Sequence, residues 1–325
     1  MTNRKASFAV VAALLVFGLA FVNVDRADAL PVFGASFQGS YSVFDLGPVP
    51  GVPVAYGGLT TEFGDDNTLL IGGNSNEASG LLYSIALVRD AGFHITGYSG
   101  NSSVFAEAAY NDGGVAYSSD GVLFLARWPV NQLGQIKPGS AVTDKVIDLA
   151  ALGVAGGGPG GGTFVPTGFA GAGQYKIVTW PDGIVYTLDL APDGAGTYDV
   201  VGVHQGPTLP GGPEGFIYVA AGNPGFAVDS ILVSEFSANS IAAYEIDANG
   251  DPIVATRRDF LTGLDGAEGA FFDKLSGDFL FSTFGTASDT VFRVEGFKAV
   301  PVPEPSTLVL LGCGLALIAR RNRRR

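Results

Sequence analysis

The chain has 325 residues, of which 48 are glycine, 15% are charged and 11% are aromatic. This length allows one large domain or two ordinary ones, and the aromatic content excludes an intrinsically disordered protein. The formal net charge of −13 excludes nucleic acid and disfavours anionic membrane surfaces as partners of the body. Abundant glycine with few charges is typical of short strands joined by tight turns.

The N-terminus has the features of a secretory signal peptide. Arg4 and Lys5 precede an almost wholly apolar segment at 6–22, and Ala27-Asp28-Ala29 forms an A-x-A cleavage site. This order predicts cleavage by signal peptidase after Ala29, so that the mature chain begins at the next residue. The alternative interpretation of the segment is a short membrane anchor.

Three stretches of the body share a hairpin pattern. Residues 81–97, 183–202 and 240–256 each contain an alternating strand, a turn with Asp and Gly, and a second strand. Asp-Gly and Asn-Gly pairs tolerate the positive φ that tight hairpin turns require. Each stretch is therefore predicted to fold as a β-hairpin.

The hairpins belong to a longer repeat of about 50 residues, which fits the chain five times. Each unit adds an apolar strand upstream of the hairpin position, predicted at 67–73, 121–128, 175–180, 230–236 and 277–284. Each also has an earlier segment of small residues, predicted to be the innermost strand, at 57–63, 112–118, 167–173, 214–220 and 268–274. Four strands per unit at this period predict an all-β fold, a β-propeller of four-stranded blades. The glycine run 156–162 is interpreted as a flexible loop between blades.

The last unit ends at 290–297 and lacks a fourth strand. The segment 39–47 is predicted to supply it, because closing the ring with an N-terminal strand removes exposed sheet edges. This gives five blades, or six if 32–38 and a long loop contain another. The alternative fold is a β-sandwich. Sustained helical periodicity with caps is missing between 30 and 302, so long helices are not expected.

Two short segments resemble the NHL-repeat and gluconolactonase-like propellers. They are Pro213-Glu214-Gly215-Phe216 and Ala267-Glu268-Gly269-Ala270, each with an acid before a glycine at the start of an innermost strand. The resemblance implies that these positions face the mouth of the central channel, where carboxylates can hold a divalent metal.

Aligning the units places Asp112 at the same position in the second blade. The same alignment puts Thr167 there in the third blade, and Gly58, with Glu62 nearby, in the first. Three carboxylates, of Glu214, Glu268 and Asp112, would form a hard oxygen site suited to calcium or magnesium. The alternative is that these acids only cap turns or strand ends.

Other sequence features give no catalytic residue. His94 and His204, the two histidines, fall in outer-strand segments, and the segment 247–251 is interpreted as a hairpin turn. There is no G-x-S-x-G motif. The one cysteine, Cys313, lies near the C-terminus, so the body has neither disulfides nor thiol chemistry.

The C-terminus combines Pro303-Glu304-Pro305, an apolar run at 307–319 and five arginines. The apolar run would span about 20 Å as a helix, short for a bilayer core of about 30 Å. The arrangement resembles the PEP-CTERM sorting signal of Gram-negative bacteria. That resemblance implies recognition by an exosortase, a transient stay in the inner membrane through 307–319, and then release or attachment at the cell surface. The alternative is a simple C-terminal membrane anchor with a transmembrane helix.

The predicted organisation is a signal peptide at 1–29, a β-propeller at 30–300 and a sorting signal at 301–325. Removing both ends leaves 10 basic and 28 acidic residues between 30 and 302. We expect an exported surface or matrix protein that binds a glycan, a protein or a cation without catalysis, linked to exopolysaccharide or biofilm. The alternative function is a divalent-metal-dependent, lactonase-like hydrolase with the channel carboxylates as ligands.

Overall fold

The structure is a computed structural model and describes residues 30–285 and 289–298. The predicted signal peptide at 1–29 and the predicted membrane helix at 307–319 lie outside these ranges. In the described ranges we find no helix with the length and apolarity to cross a bilayer.

The described residues form short antiparallel strands and three single 3-10 turns, at Ala150–Leu152, Phe236–Ala238 and Val254–Thr256. In chain order the strands are β1 (Val32–Phe33), β2 (Ser42–Asp45), β3 (Leu59–Glu62), β4 (Asp65–Gly73), β5 (Leu81–Arg89), β6 (Ile95–Glu107), β7 (Asn111–Tyr117), β8 (Leu123–Arg127), β9 (Gln132–Ile136), β10 (Lys145–Asp148), β11 (Pro159–Phe164), β12 (Tyr175–Thr179), β13 (Ile184–Pro192), β14 (Tyr198–Thr208), β15 (Pro213–Val219), β16 (Ser230–Glu235), β17 (Ser240–Glu245), β18 (Arg258–Thr262), β19 (Ala267–Phe272), β20 (Phe279–Thr283) and β21 (Val291–Glu295).

These strands build five sheets, which are the blades of a β-propeller. From the axis outward they are β3-β4-β5-β6, β7-β8-β9-β10, β11-β12-β13-β14, β15-β16-β17-β18-β1 and β19-β20-β21-β2, here blades 1 to 5. The innermost strands of the five blades contact one another around the axis. The predicted propeller is confirmed, and the alternative β-sandwich is excluded.

The ring closes as predicted, by an N-terminal strand in the last blade. β2 pairs with β21 from Ser42 opposite Glu295 to Asp45 opposite Phe292. The possibility of a sixth blade is wrong. The segment at 32–38 instead begins with β1, which pairs with β18 and gives blade 4 a fifth, outermost strand.

Blade 3 differs from the sequence alignment. Its innermost strand is β11, which contains most of the glycine run that was interpreted as a loop, whereas 167–173 lies in the connection from β11 to β12. The reason is the crowding at the axis: a Cβ on Gly161 would lie 2.1 Å from the backbone oxygen of Glu214. Only glycine permits so close an approach of two backbones.

A smaller difference concerns the hairpin predicted at 240–256. Its first strand is β17 and the turn at 247–251 is present, with the Asp247 carboxylate accepting hydrogen bonds from the Asn249 and Asp251 amides. The second strand begins later, at Arg258, because residues 254–256 form a 3-10 turn.

Apolar side chains fill the spaces between neighbouring blades. At the seam of blades 4 and 5 the filling is aromatic and includes residues from both chain ends. Phe37 and Tyr41 pack on Phe260 with ring centroids 5.0 Å and 5.3 Å away, and Phe297 packs on Tyr41 at 4.6 Å. A buried Phe side chain contributes about 1.5–3 kcal/mol to stability, so this cluster anchors the ends of the ring.

Strand direction gives the propeller two distinct faces. One side carries the loops that connect the second strand of each blade to the third, and the connections between successive blades. We call this side the cavity face. The other side carries the loops that connect the first strand of each blade to the second and the third strand to the fourth. We call this side the tail face. The first and third strands of each blade run from the cavity face to the tail face, and the other two run back.

Candidate metal centre and cavity

The innermost strands start at the cavity face with a glycine that lies against its neighbours across the axis. A Cβ on Gly215 would lie 2.6 Å from the Ala270 nitrogen, and one on Gly113 would lie 2.9 Å from the Gly215 nitrogen. The strands therefore leave no room for side chains at this level. The side chain of the residue before each of these glycines therefore lies in the mouth of the channel, on the cavity-face side of the glycines.

At that earlier position stand the three predicted acids. Asp112, Glu214 and Glu268 each offer a carboxylate oxygen, and these oxygens all lie within 4.8 Å of one another. The structure thus brings together all three residues predicted for the metal site. They come from blades 2, 4 and 5.

The remaining two blades have glycine at this position. In blade 3 it is Gly160, not Thr167 as aligned from sequence, and a Cβ there would lie 2.2 Å from Glu214 Oε2. In blade 1 it is Gly57, one residue before the aligned Gly58, and a Cβ there would lie 2.5 Å from Ser75 Oγ. Both glycines leave space that the acids and their neighbours occupy. Glu62 lies at the opposite end of β3.

All three carboxyl groups are buried, with 1% to 4% of each residue exposed. Burial raises the pKa of Asp112 to about 7. Burial, followed by the charges of the neighbouring acids, raises the pKa of Glu214 and of Glu268 well above the usual range. Three such groups in contact are costly as free carboxylates, because they repel one another away from water.

One oxygen of each acid has no hydrogen-bond partner among the described residues. These atoms are Asp112 Oδ1, Glu214 Oε2 and Glu268 Oε1. Buried polar atoms are nearly always satisfied in folded proteins. Several hydrogen-bond acceptors without partners in one cluster indicate that a hydrogen-bond donor or a cation binds between them.

Above the acids lies a cavity of about 530 Å³, and Glu214 and Glu268 form part of its floor. Four aromatic side chains, each following the second strand of its blade, line it: Trp128, Trp180, Phe236 and Phe284. Consecutive rings meet nearly perpendicularly, with centroids 5.0, 6.1 and 6.0 Å apart. We call these four residues the aromatic collar. Each is partly exposed.

Blade 1 lines the cavity with polar residues instead of an aromatic one. Asn74 takes the place of the aromatic residue, and it is followed by Ser75, Asn76 and Glu77, all lining the cavity. Asn74 and Asn76 have φ of 51° and 67°, a conformation that costs energy in a non-glycine residue. It is held by hydrogen bonds from the Ser75 amide to the Ala55 carbonyl and from the Asn76 amide to the Asn111 carbonyl.

A second group of acids and histidine lies on the tail face, where blades 1 and 5 meet, and is structural. His94 Nδ1 lies 2.7 Å from Asp278 Oδ2 and 3.7 Å from Glu295 Oε1. Arg293 already supplies a cation there, since it pairs with Glu295 and its Nε lies 3.8 Å from Asp278. This group therefore joins blades 1 and 5. The other histidine, His204, pairs with Asp189 on an exposed outer strand.

Comparisons with known proteins match the two parts of the chain separately. Residues 301–325 match the family model of the PEP-CTERM protein-sorting motif, which confirms the prediction from the tail. A search of curated proteins gives no match.

Among solved structures, the chain is similar to a glucose dehydrogenase (15% identity, 76% of this chain and 86% of that chain covered, TM-score 0.43). It is also similar to the calcium structure of an AA12 carbohydrate-active enzyme from Trichoderma reesei (10%, 84% and 99%, 0.47). A third is the PQQ-bound aldose sugar dehydrogenase from Streptomyces coelicolor (13%, 77% and 83%, 0.39). At such identities the likeness extends to the fold alone. By its own strand topology the chain is a five-bladed β-propeller, and its residues 301–325 are a PEP-CTERM sorting motif.

Proposed function

We propose that this protein is a cell-surface binding protein that holds a divalent cation, calcium or magnesium, between Asp112, Glu214 and Glu268. The sorting motif at its C-terminus indicates an exported protein processed by exosortase. The proposed role of the body is binding rather than catalysis, in a matrix of exopolysaccharide or biofilm.

One observation carries the proposal: three buried acids each bring a carboxylate oxygen within 4.8 Å of the others, and each of these acids has one oxygen without a partner among the described residues. Calcium binds oxygen at about 2.3–2.6 Å, so two of its ligands on opposite sides are about 4.6–5.2 Å apart. A divalent ion would satisfy the orphaned oxygens and remove the mutual repulsion of the acids. Because calcium takes 6–8 oxygens, it would keep coordination positions open toward the cavity.

The cavity above the ion is the proposed ligand site. Its volume is in the range of small-molecule sites, about 300–1,000 Å³. The aromatic collar offers apolar surface, while Asn74 and Asn76 offer hydrogen bonds on the opposite wall. This combination suits a saccharide unit, which has an apolar ring face and hydroxyl groups. Those hydroxyl groups would complete the coordination of the ion.

Thermal unfolding with added calcium tests the cation site. At a calcium concentration 100 times the Kd, binding stabilises the protein by about 2.7 kcal/mol, or roughly 5 °C for a domain of this size. The double variant Glu214→Gln, Glu268→Gln should lose this shift. Glu77→Gln removes an exposed acid from the same cavity wall and should keep it. If calcium and magnesium leave the parent unchanged, the cation site is refuted.

A second candidate function is a divalent-metal-dependent, lactonase-like hydrolase with the three acids as ligands, favoured by the cavity that adjoins Glu214 and Glu268 and could admit a small substrate. The described residues that line the cavity include no histidine, lysine or arginine, and for this reason we place binding first. Incubation of the calcium-loaded protein with sugar lactones distinguishes the two. Turnover that is lost in Asp112→Asn but retained in Glu77→Gln would favour the hydrolase.

A further inference from the structure

The chain leaves the propeller at a fixed point on the tail face. β21 is the third strand of blade 5 and runs from the cavity face to the tail face. The Lys298 amide donates a hydrogen bond of 2.6 Å to Asn223 Oδ1, in the tail-face connection of blade 4. The ring of Phe297 packs on Phe279, with centroids 4.1 Å apart. The exit is therefore held by both a hydrogen bond and aromatic packing.

The sorting motif follows this exit at once. It begins at residue 301, and an extended chain covers at most about 3.3–3.6 Å per residue. The first residue of the Pro-Glu-Pro segment, Pro303, can thus lie at most about 18 Å from Lys298, and the last, Pro305, at most about 25 Å. A strand of six residues is about 20 Å long, and a path to the cavity face would also have to cross the outer edge of blade 5, so the tail face is the nearer one for this segment.

The loops of the two faces differ in exposed apolar side chains. Seven large apolar residues are more than a third exposed in tail-face loops: Phe63, Phe93, Val142, Val228, Ile253, Val254 and Leu275. Only three described ones are so exposed in the cavity-face connections: Leu30, Val54 and Leu152. The apolar loop residues are therefore concentrated on the face from which the tail leaves.

We propose that the tail face docks on the lipid bilayer that holds the sorting tail, so that the cavity opens away from the membrane. The position of the exit selects the face, and the apolar loops supply the contact. The body is strongly acidic, so attraction to anionic headgroups does not drive docking. The contact is apolar and should resist salt, because screening weakens only charge interactions. This orientation does not depend on the proposed cation site.

Single-cysteine variants test the proposal in the full-length chain. Cys313→Ser removes the one native cysteine. Val142→Cys on the tail face and Val54→Cys on the cavity face then form a matched pair, with the native valines 45% and 64% exposed. Leu275→Cys and Leu152→Cys form a second pair, at 39% and 41%, which covers the case that one variant does not fold.

Each chain, produced without exosortase so that the tail is retained, is reconstituted in phosphatidylcholine vesicles. It is then labelled with a 5-kDa polyethylene glycol maleimide, before and after solubilisation in detergent. We expect tail-face cysteines of outward-facing chains to react at least tenfold more slowly in vesicles than in detergent, in low or high salt. Cavity-face cysteines should react equally in both.

Equal rates at both faces, or protection of both, would overturn the orientation. Protection of the tail face in native membranes that is lost in the lipid vesicles would mean that a protein covers this face, and it would overturn the assignment to lipid. Because no calcium is added, these outcomes are independent of the cation site.

Discussion

The carboxylate of Glu214 occupies the space in front of Gly160, where a single added Cβ would lie 2.2 Å from Glu214 Oε2. The glycine of blade 3 therefore determines where the acid of blade 4 can stand. The gap is smaller than any real contact, so a side chain at position 160 must move the carboxylate.

Gly160→Ala should accordingly displace Glu214 from the acid cluster and weaken calcium binding at least tenfold. Calorimetric titration with calcium measures the change. Gly206→Ala is the control in the same blade, because a Cβ there would meet its nearest atom at 3.4 Å. Unchanged affinity in Gly160→Ala would mean that Glu214 is not a ligand.

The acid cluster should make the metal-free protein less stable as pH rises. Burial raises the pKa of Asp112 to about 7 and raises those of Glu214 and Glu268 as well. An acid whose pKa is higher in the folded protein than in the unfolded one stabilises the fold fully at pH values below its unfolded-state pKa of about 4. This stabilisation is lost as pH rises through its folded-state pKa. In chelator, we expect the free energy of unfolding to fall from pH 5 to pH 8.

Calcium should reverse this trend, since it binds the ionised acids and competes with their protons. Denaturant unfolding at several pH values, with and without calcium, measures both slopes. Glu268→Gln should flatten the fall in chelator. A stabilisation by calcium that is the same at pH 5 and pH 8 would contradict proton competition at these acids.

His94 should also make the protein less stable as pH rises, by a smaller amount, through the loss of a positive charge. Its hydrogen bond to Asp278 raises the pKa of the imidazole, so its contribution is present below the unfolded value of about 6.5 and lost as pH rises through the folded value. Such partly exposed pairs contribute about 0–1 kcal/mol. His94→Gln should remove this component of the unfolding profile, while His204→Gln should not. Identical profiles for both variants would refute the role of His94.

Closure of the ring predicts unequal effects of two N-terminal truncations. A mature chain that starts at residue 39 loses β1, which extends the outer edge of blade 4, and Phe37 of the aromatic cluster. A chain that starts at residue 47 also loses Tyr41 and β2, and it exposes the edge of β21. We expect the first to fold with reduced stability and the second to aggregate. Size-exclusion chromatography distinguishes them, and a monomeric second truncation would contradict closure by β2.

The sequence repeat was sufficient to predict the propeller because each blade repeats the same order of strands and turns. An aromatic residue follows the second strand in four of the five blades, and three of the hairpin turns contain Asp and Gly. Even the strand that completes blade 5 followed from the missing partner of β21. The same aromatic positions, read together, would have indicated the collar, because equivalent residues of successive blades meet around one axis.

Other features depend on packing that periodicity does not contain. β11 resembles a loop, since Gly160, Gly161 and Gly162 lack side chains that would indicate a strand. Its place at the axis follows only from how closely Glu214 and Gly215 approach it. The two residues of β1 are likewise too few to carry a pattern. The acid triad was predictable because each acid precedes a glycine, whereas the orphaned oxygens required coordinates.

The most direct test of the central claim is a crystal structure of the protein grown with calcium, with the ion identified from anomalous scattering. We predict one ion at about 2.3–2.6 Å from a carboxylate oxygen of each of Asp112, Glu214 and Glu268, with its remaining ligands facing the cavity. Acids that contact one another directly, with no ion between them at saturating calcium, would contradict the claim.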